Sequence, residues 1–310
     1  MSEHMLWVEK YRPSKIEECI LPESIKSTFQ EFVNRKEIPN LLLSGGAGVG
    51  KTTVAKALCN EVGCDFIVIN GSDDRGIAVM QTTVKNYATS MSLTGGRKVI
   101  IIDEADNLTT DAQKALRGMI EEVSINCSFI FTCNFKNKII PPIHSRCTTI
   151  DFKLNGSKQK VASQFFKRVE GILQQEGVDY NKEVVANIIT KFFPDNRRVL
   201  NELQRYSISG KIDVGILAST SDVSVVELVK SIQDKDLRSA RKWVVNNLDN
   251  DVSTMLRRLY DGLYEALKPQ SVAQMIIIIG TWQYRGAFMA DNEIIMMSCI
   301  SELMFEVEFK

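Results

Sequence analysis

The sequence predicts an α/β domain built on a parallel sheet, followed by a remainder that is helical. Up to about Phe152, short apolar runs alternate with amphipathic stretches, which is typical of strands separated by helices in a parallel sheet. From Ser157 onwards, apolar residues recur at helical spacing without intervening strands. A glycine-rich loop at residues 45–52 follows the first apolar run and precedes a helical stretch, which is the setting of a phosphate-binding motif.

The apolar runs are predicted to be buried strands, because each is short, is bounded by polar or glycine-containing turns and precedes a segment that can form a helix. They are Asn40–Ser44, Phe66–Asn70, Lys98–Asp103, Ser128–Thr132 and, as a further strand, Thr148–Phe152.

The helical remainder is expected to form more than one region, since the 310 residues suggest two or three domains at about 100 to 200 residues each. The best linker candidates are Ser207–Gly210 and Ser219–Ser224, with a last helical region from about Val225. The most apolar stretch, Met275–Ile279, is far shorter than the ~20 residues that a membrane span needs. It is predicted to be a buried helix segment, and no membrane partner is expected.

The glycine-rich loop fits the pattern G-x-x-x-x-G-K-[ST]. Its glycines let successive backbone N–H groups face a phosphate, and the helical stretch Val54–Val62 adds its positive N-terminal dipole. Lys51 is expected to reach the β- and γ-phosphates of ATP, and Thr52 to ligate magnesium. The alternative is a glycine turn that precedes lysine by chance. The predicted nucleotide-binding residues here are Gly45, Gly46, Ala47, Gly48, Val49, Gly50, Lys51, Thr52 and Thr53.

A second motif, Asp103-Glu104-Ala105-Asp106, ends a predicted strand. Asp103 can hold the metal, usually through water, and Glu104 can activate the attacking water as a general base. Two adjacent acids could also form only a solvated turn. Superfamily-2 helicases carry the same four letters, but this chain has Asn134 at the end of the next strand instead of their Ser-Ala-Thr. Such an amide can orient water or sense hydrolysis, although a strand-capping residue is the alternative.

Composition and charge restrict the possible functions. The 38 basic and 38 acidic residues cancel, so any contact with nucleic acid must be local. The 7 cysteines include no C-x-x-C pair that would indicate zinc or redox chemistry. Reduced, mostly buried thiols in a cytoplasmic protein are therefore the expectation.

Together these motifs resemble the clamp-loader branch of the AAA+ ATPases, and in particular the small subunits of replication factor C. The resemblance rests on the loop, the acidic motif and further stretches over the first two-thirds of the chain. These stretches are Glu9–Pro13, Asn70–Ile77, Lys138–Cys147 and Asp195–Leu203. The last third, with Leu267–Ser271 and Gln283–Gly286, looks like the ATPase subunit of the T-even-type phage clamp loader.

The resemblance implies a RecA-like AAA+ ATPase domain at residues 1–153, a helical lid domain at 154–218 and a helical collar for oligomerisation at 219–310. Arg146, in Ser-Arg-Cys, looks like an arginine finger on the neighbour's ATP, where a surface arginine paired with an acid is the alternative. Arg197 resembles the lid's sensor arginine, with Arg198 as its competitor. The segment that flanks adenine is matched by Val8, Glu9, Lys10, Tyr11 and Ile20, which could equally be core residues.

The function that the resemblance implies is that of a magnesium-dependent ATP hydrolase in a DNA polymerase sliding-clamp loader. Its partners would be other loader subunits in a hetero-oligomeric ring with several ATPase copies, the sliding clamp and primer-template DNA. ATP binding would drive ring assembly and clamp opening, and DNA-triggered hydrolysis would release the clamp. The setting would be the host cytoplasm for a phage protein, and the nucleus only for a eukaryotic one. The alternative is another AAA+ replication or recombination motor, such as a helicase loader.

DNA contacts are expected at helix N-termini and scattered cations, because net charge offers no general basic surface. Arg75, Lys85 and Lys114 are the candidates. Arg75 is further expected to pair with Glu104 until DNA draws it away, with a solvated arginine as the alternative. Thr110–Gln113 is predicted to be a capping box at the start of a helix.

Overall fold

The computed structural model describes residues 6–72, 77–92, 96–154, 156–208, 210–213, 223–248, 251–286, 288–289 and 291–310. The chain divides into two compact units, Met1–Ile216 and Leu217–Lys310. Within the described residues, no helix is long and apolar enough to cross a bilayer. The cysteines carry free thiols, and most of them are buried.

The first unit contains a parallel sheet whose strands follow the predicted runs to within a residue or so at each end. The strands are β1 (Leu41–Ser44), β2 (Phe66–Asn70), β3 (Lys98–Asp103), β4 (Cys127–Cys133) and β5 (Thr148–Asp151). Their order across the sheet is β2-β3-β4-β1-β5, and every pairing is parallel. Because the carboxyl ends of parallel strands lie at one edge, the residues that follow β1, β3 and β4 meet there.

Helices cover both faces of this sheet, which is why its central strands are mostly apolar. Alternate strand residues point to opposite faces, so Leu42 and Ile100 lie in one apolar layer and Leu41 and Ile101 in the other. The α-helices up to this point are α1 (Trp7–Lys10), α2 (Glu23–Arg35), α3 (Lys51–Val62), α4 (Ile77–Thr89), α5 (Thr110–Glu122) and α6 (Pro141–His144). The first layer packs against α4 and α5, and the second against α2 and α3.

The rest of the first unit is mainly helical, as predicted. It contains α7 (Lys158–Gln175), α8 (Lys182–Phe192) and α9 (Asn196–Ser207). The prediction of helices alone was wrong in one detail, because β6 (Asp179–Tyr180) and β7 (Lys211–Ile212) form a small parallel pair. Strands of two residues are too short to show the alternation by which a strand is recognised in a sequence.

The second unit is built from five described helices around one apolar core. They are α10 (Val223–Gln233), α11 (Leu237–Asn246), α12 (Val252–Ala266), α13 (Pro269–Gly286) and α14 (Asn292–Glu306). The prediction that Met275–Ile279 is buried was only partly right, since Ile276 and Ile277 are 48% and 62% exposed. Five consecutive helical residues point all round the axis, so a helix packed on one side cannot bury them all.

Candidate nucleotide site

The glycine-rich loop joins β1 to α3 and has the backbone conformation that its glycines allow. Gly48 and Gly50 have positive φ values of 69° and 93°, in the left-handed region that favours glycine. Gly50 directly precedes Lys51, the first residue of α3, so the loop ends at a helix N-terminus. Loop N–H groups and the helix dipole therefore act at one place, which suits a phosphate group.

Gly48 also contacts the start of α9. The Gly48 carbonyl accepts a hydrogen bond from the Asn196 N–H at 3.1 Å. Asp195 caps α9 by accepting from the Arg198 N–H at 3.0 Å. Arg197 stands in the first turn of this helix and lines a cavity beside the loop, together with Gly48 and Lys51. The lid arginine and the phosphate loop are thus brought together as the sequence predicts, whereas Arg198 lies over the Phe192 ring.

A methyl group at position 48 should destabilise the protein through two separate effects. The left-handed backbone disfavours a side chain, and a Cβ on residue 48 would overlap the Asp195 carboxylate. We therefore expect Gly48→Ala to lower the free energy of unfolding by roughly 2–4 kcal/mol. Gly63→Ala is the matched control, because φ is also positive at +77° but nothing lies within 4 Å of its Cβ. Urea denaturation without nucleotide measures the free energy of unfolding of both variants. If Gly48→Ala and Gly63→Ala lower it equally, the contact with Asp195 has no role.

Lys51 extends from the first turn of α3 back across the loop. Its ammonium donates to the Gly45 carbonyl at 2.9 Å, the Gly46 carbonyl at 2.7 Å and the Asn134 Oδ1 at 2.8 Å. Burial lowers the pKa of Lys51, and nearby carboxylates oppose that shift. The contacts place the lysine and the amide at the end of β4 side by side, where both can meet a terminal phosphate.

The predicted metal ligands are adjacent. The Thr52 hydroxyl donates to the Asp103 Oδ1 at 2.6 Å, and the Thr132 hydroxyl donates to the same oxygen at 2.6 Å. Thr132 in turn accepts from the Glu104 N–H at 3.1 Å, so it ties the end of β4 to the end of β3. Hydroxyl and carboxylate oxygens are ligands that Mg²⁺ accepts, and it usually adds water and phosphate oxygens to them. The residues present therefore fit a magnesium ion bound with a nucleotide.

Glu104 occupies a strained position next to these ligands. Its φ of 53° and ψ of 46° lie in the left-handed region, which is rare for a residue with a long side chain. Its carboxylate accepts from the Ser72 hydroxyl and from the Asn107 Nδ2, the latter at 3.2 Å. A Cβ on Gly71 would come within 2.6 Å of the Glu104 carbonyl oxygen, so the end of β2 packs closely on this turn. Strain of this kind persists where the surroundings enforce it, and it is common at catalytic residues.

Asp106 connects the acidic motif to Asn134. Its side chain is buried, and its Oδ2 accepts from the Asn134 N–H at 3.2 Å and the Phe135 N–H at 3.1 Å. The backbone that carries the Asn134 amide is thereby fixed to the turn that carries Glu104. The sequence motifs indicate no role for Asp106, although it links these two candidate catalytic groups.

The cavity beside the loop has an apolar side that suits a base. Val8, Tyr11 and Ile20 line it, as the resemblance implies, together with Phe165 and Leu200. The loop residues from Gly48 to Thr53 also line it, while Gly45, Gly46 and Ala47 lie outside its lining. Glu9 and Lys10 are not lining residues either. Glu9 pairs with Arg12, and Lys10 pairs with Glu176 at 2.7 Å.

Glu176 and Arg168 attach the N-terminal segment to the helical part of the first unit. The Glu176 Oε1 accepts from both the Lys10 ammonium and the Tyr11 hydroxyl. Arg168 donates from Nη2 to the Tyr11 carbonyl at 2.9 Å. Burial and the bond to Glu176 raise the pKa of Tyr11, while Lys10 and Tyr11 lower the pKa of Glu176. Tyr11 is therefore a neutral donor whose position depends on this helical part.

Arg146 lies apart from the cavity described above and is not one of its lining residues. It follows α6 and pairs with Glu121 of α5, donating from Nε at 2.9 Å and also from Nη2. Its Nη1 donates to the Pro142 carbonyl at 2.8 Å. The alternative setting for Arg146, a surface arginine paired with an acid, is thus present in the structure.

Two of the three candidate DNA residues are exposed and paired with acids. Lys85 pairs with Glu122 at 3.1 Å, and Lys114 with Asp111 at 2.9 Å. Arg75 and its expected pairing with Glu104 lie outside the described residues.

The predicted capping box was wrong by one position. Thr109, not Thr110, is the N-cap of α5, and its side chain accepts from the Ala112 N–H. The Gln113 amide instead bonds to the Leu108 and Lys138 carbonyls and to the Ile140 N–H. Gln113 is free for these bonds because it lies on the buried face of α5.

Family profiles match most of the chain. Residues 41–155 match the ATPase family associated with various cellular activities (AAA). Residues 157–218 match the lid domain, and residues 251–308 the C-terminal domain, of the sliding-clamp-loader large subunit.

Curated relatives match along nearly the whole length. The sliding-clamp-loader large subunit of Enterobacteria phage T4 is 37% identical over 316 residues, covering 99% of this chain and 98% of that protein. The chain belongs to the sliding-clamp-loader family of AAA+ ATPases. The Escherichia phage RB69 subunit of the same name is 34% identical, with the same coverage. The replication factor C small subunit of Methanothermobacter thermautotrophicus is 34% identical over 82% of this clamp-loader ATPase and 77% of that protein.

Solved structures show the AAA+ fold in this clamp-loader ATPase. The Holliday junction branch migration motor RuvB of Thermotoga maritima superposes with a TM-score of 0.52 and 20% identity, over 72% of this chain and 79% of that one. At this identity the likeness concerns the fold alone. Family and fold together identify the chain as a P-loop ATPase that binds and hydrolyses ATP.

Several residues that build the site were missed by the sequence analysis. Thr132 and Asp106 could have been found from the strand order, because β3 and β4 are neighbours and their ends must meet. Asp195 carried the signal of an N-cap, an aspartate just before a helix. Asn107, which donates to the Ser72 hydroxyl at 2.8 Å beside Glu104, gave no signal of its own.

Proposed function

We propose that this chain is an ATPase subunit of a sliding-clamp loader, within a ring of several ATPase copies and a partner that lacks ATPase activity. ATP binding organises the ring to grip and open a clamp, and hydrolysis on primer-template DNA releases the clamp onto it. The observation that carries the proposal is the match of both the lid and the C-terminal regions to sliding-clamp-loader profiles. These two regions distinguish a clamp loader from other AAA+ motors, because the ATPase domain alone is common to them all.

The site residues divide the chemistry among them. The loop N–H groups and Lys51 bind the phosphates. Thr52 and Asp103 would hold magnesium, which would supply positive charge that stabilises the transferring phosphoryl group. Glu104 accepts a proton from the attacking water, and Asn134 orients that water beside Lys51. Val8, Tyr11 and Ile20 contact the adenine. Arg197 contacts the nucleotide and couples the position of the lid to the terminal phosphate.

Arg146 completes the site of the neighbouring subunit in this proposal. Its partly exposed side chain at the end of α6 supports action on another chain. A guanidinium presents fixed donors that neutralise charge on a transferring phosphoryl group. Each site then contains residues of two chains, so an isolated chain binds ATP but hydrolyses it slowly.

The proposed DNA contacts are Arg75, Lys85 and Lys114, which bind phosphates without reading sequence. The pairing of Arg75 with Glu104, released by DNA, is proposed as the link between DNA and hydrolysis. We also propose the domain limits 1–153, 154–218 and 219–310 for the ATPase, lid and collar domains, and the host cytoplasm as the site of action of a phage protein.

The proposal is tested by ATP hydrolysis of the assembled complex with and without primed DNA and the cognate clamp. We expect stimulation that needs both, with little from single-stranded DNA alone, and slow turnover by the isolated chain. A complex whose turnover responds equally to single-stranded DNA without a clamp would favour a helicase loader or another motor instead.

A further inference from the structure

The Arg146 guanidinium is held from two sides. Its Nε and Nη2 both donate to the Glu121 Oε1, the former at 2.9 Å. Its Nη1 donates to the Pro142 carbonyl at 2.8 Å and lies 3.4 Å from the Ser145 hydroxyl. Arg146 is therefore bonded to α5 on one side and to the end of α6 on the other.

These contacts leave part of the guanidinium free to bind something else. Arginine has five N–H groups, and the contacts described can occupy at most four of them. The remaining N–H is on Nη2, at the end of the side chain opposite Cδ. Because the Arg146 side chain is 30% exposed, this end can reach a group outside the chain. The pairing with Glu121 orients the arginine without using up its donors.

The carboxylate that holds Arg146 belongs to Glu121, on a helix that is packed into the core. Glu121 lies in the last turn of α5, whose Leu116, Met119 and Ile120 are buried in the core of the first unit. The Glu121 side chain itself is 63% exposed, so its pair with Arg146 contributes little to folding stability. Such a pair restricts the rotamers of the arginine before it meets a phosphate, so less rotamer entropy is lost when the two bind.

The electrostatics favour a persistent pair. Arg146, and to a smaller degree Arg117 one helical turn before, lowers the pKa of Glu121, so the carboxylate is charged at neutral pH. The helix that carries it, α5, begins at Thr110 shortly after Glu104. Helix α5 therefore connects the turn that carries Glu104 to the carboxylate that holds Arg146.

We propose that Glu121 is a positioning residue, which orients Arg146 so that its free Nη2 N–H faces the terminal phosphate of the nucleotide in the neighbouring subunit. The inference rests on the proposed function, because it assumes that Arg146 acts in the neighbouring site. It adds a residue on which the rate depends although it touches no nucleotide.

The test uses the complete loader with primed DNA and clamp. We expect Glu121→Ala to lower kcat roughly tenfold with little change in KM for ATP, because the finger is still present but is no longer oriented. Glu121→Gln should recover most of this loss, since its amide oxygen still accepts from Nε and Nη2. Glu31→Ala, which removes an exposed glutamate paired with Arg35 on α2, is the matched control and should leave kcat unchanged.

A double variant separates positioning from a structural effect. Glu121→Ala/Arg146→Ala should be no slower than Arg146→Ala alone, whereas independent effects would multiply. If Arg146→Ala is slow but Glu121→Ala retains the wild-type kcat or exceeds it, the inference is wrong and the proposed function stands. If Arg146→Ala itself retains the wild-type rate, the action of Arg146 on the neighbouring site is wrong, and the inference fails with it.

Discussion

Glu104→Gln should reduce ATP hydrolysis by the assembled complex at least about 100-fold, because glutamine cannot accept the proton of the attacking water. Nucleotide binding should persist, since the phosphate-binding loop, Lys51 and Thr52 are unchanged. Steady-state hydrolysis with primed DNA and clamp measures the first effect, and titration of the isolated variant with a fluorescent ATP analogue measures the second.

The substitution is close to isosteric and keeps the hydrogen bond from Ser72, so the fold should tolerate it. A melting temperature close to that of the wild type would verify this. Turnover by Glu104→Gln above about a tenth of the wild-type rate would show that Glu104 is not the general base.

Arg146→Ala should reduce hydrolysis by the complex about 1,000-fold or more, which is the loss typical of a missing arginine finger. The same variant should bind nucleotide normally as an isolated chain, because Arg146 does not line its own cavity. Measurements on both the complex and the isolated chain therefore separate a role in the neighbouring site from a role in folding.

Two further variants sharpen this comparison. Arg146→Lys should stay slow, because lysine lacks the planar fork that holds both Glu121 and a phosphate. Arg35→Ala, which removes an exposed arginine paired with Glu31, should behave like the wild type. If the isolated Arg146→Ala chain binds ATP much more weakly than the wild type, the arginine is needed for its own site and the account of Arg146 is wrong.

The fold was largely predictable because its strands are buried on both faces. Runs such as Lys98–Asp103 are apolar, short and bounded by turns, and the strands found lie close to the predicted ones. The small pair β6 and β7 was missed, since it depends on tertiary contacts and not on periodicity. The exposed Ile276 and Ile277 were missed for a related reason, because a run of apolar residues does not reveal which side of a helix is packed.

The proximity of the candidate site residues was predictable because these residues stand in fixed motifs. The predicted ligands Thr52 and Asp103 are adjacent in the structure, as are Lys51 and Asn134, although 51 and 83 residues separate the members of each pair in the chain. Their proximity follows from parallel strands that end at one edge of the sheet.

The supporting contacts were not predictable from motifs. Asp195 against Gly48 and Glu121 against Arg146 join segments that are distant in sequence, and neither pair has a spacing rule. Glu121 in particular has the pattern of an ordinary exposed helix residue, because its contact with Arg146 depends on where α6 ends. Such contacts follow from the packing of whole elements and become visible only in three dimensions.

The central claim is that each active site is shared between two chains, and mixed complexes test it most directly. Glu104→Gln chains lack the base but keep Arg146, and Arg146→Ala chains lack the finger but keep the base. Complexes assembled from an equal mixture should recover up to about a quarter of the wild-type rate, at interfaces where an Arg146→Ala site meets a Glu104→Gln neighbour. If the mixture is as inactive as either variant alone, the active site is not shared between chains. Arg146 would then act within its own chain.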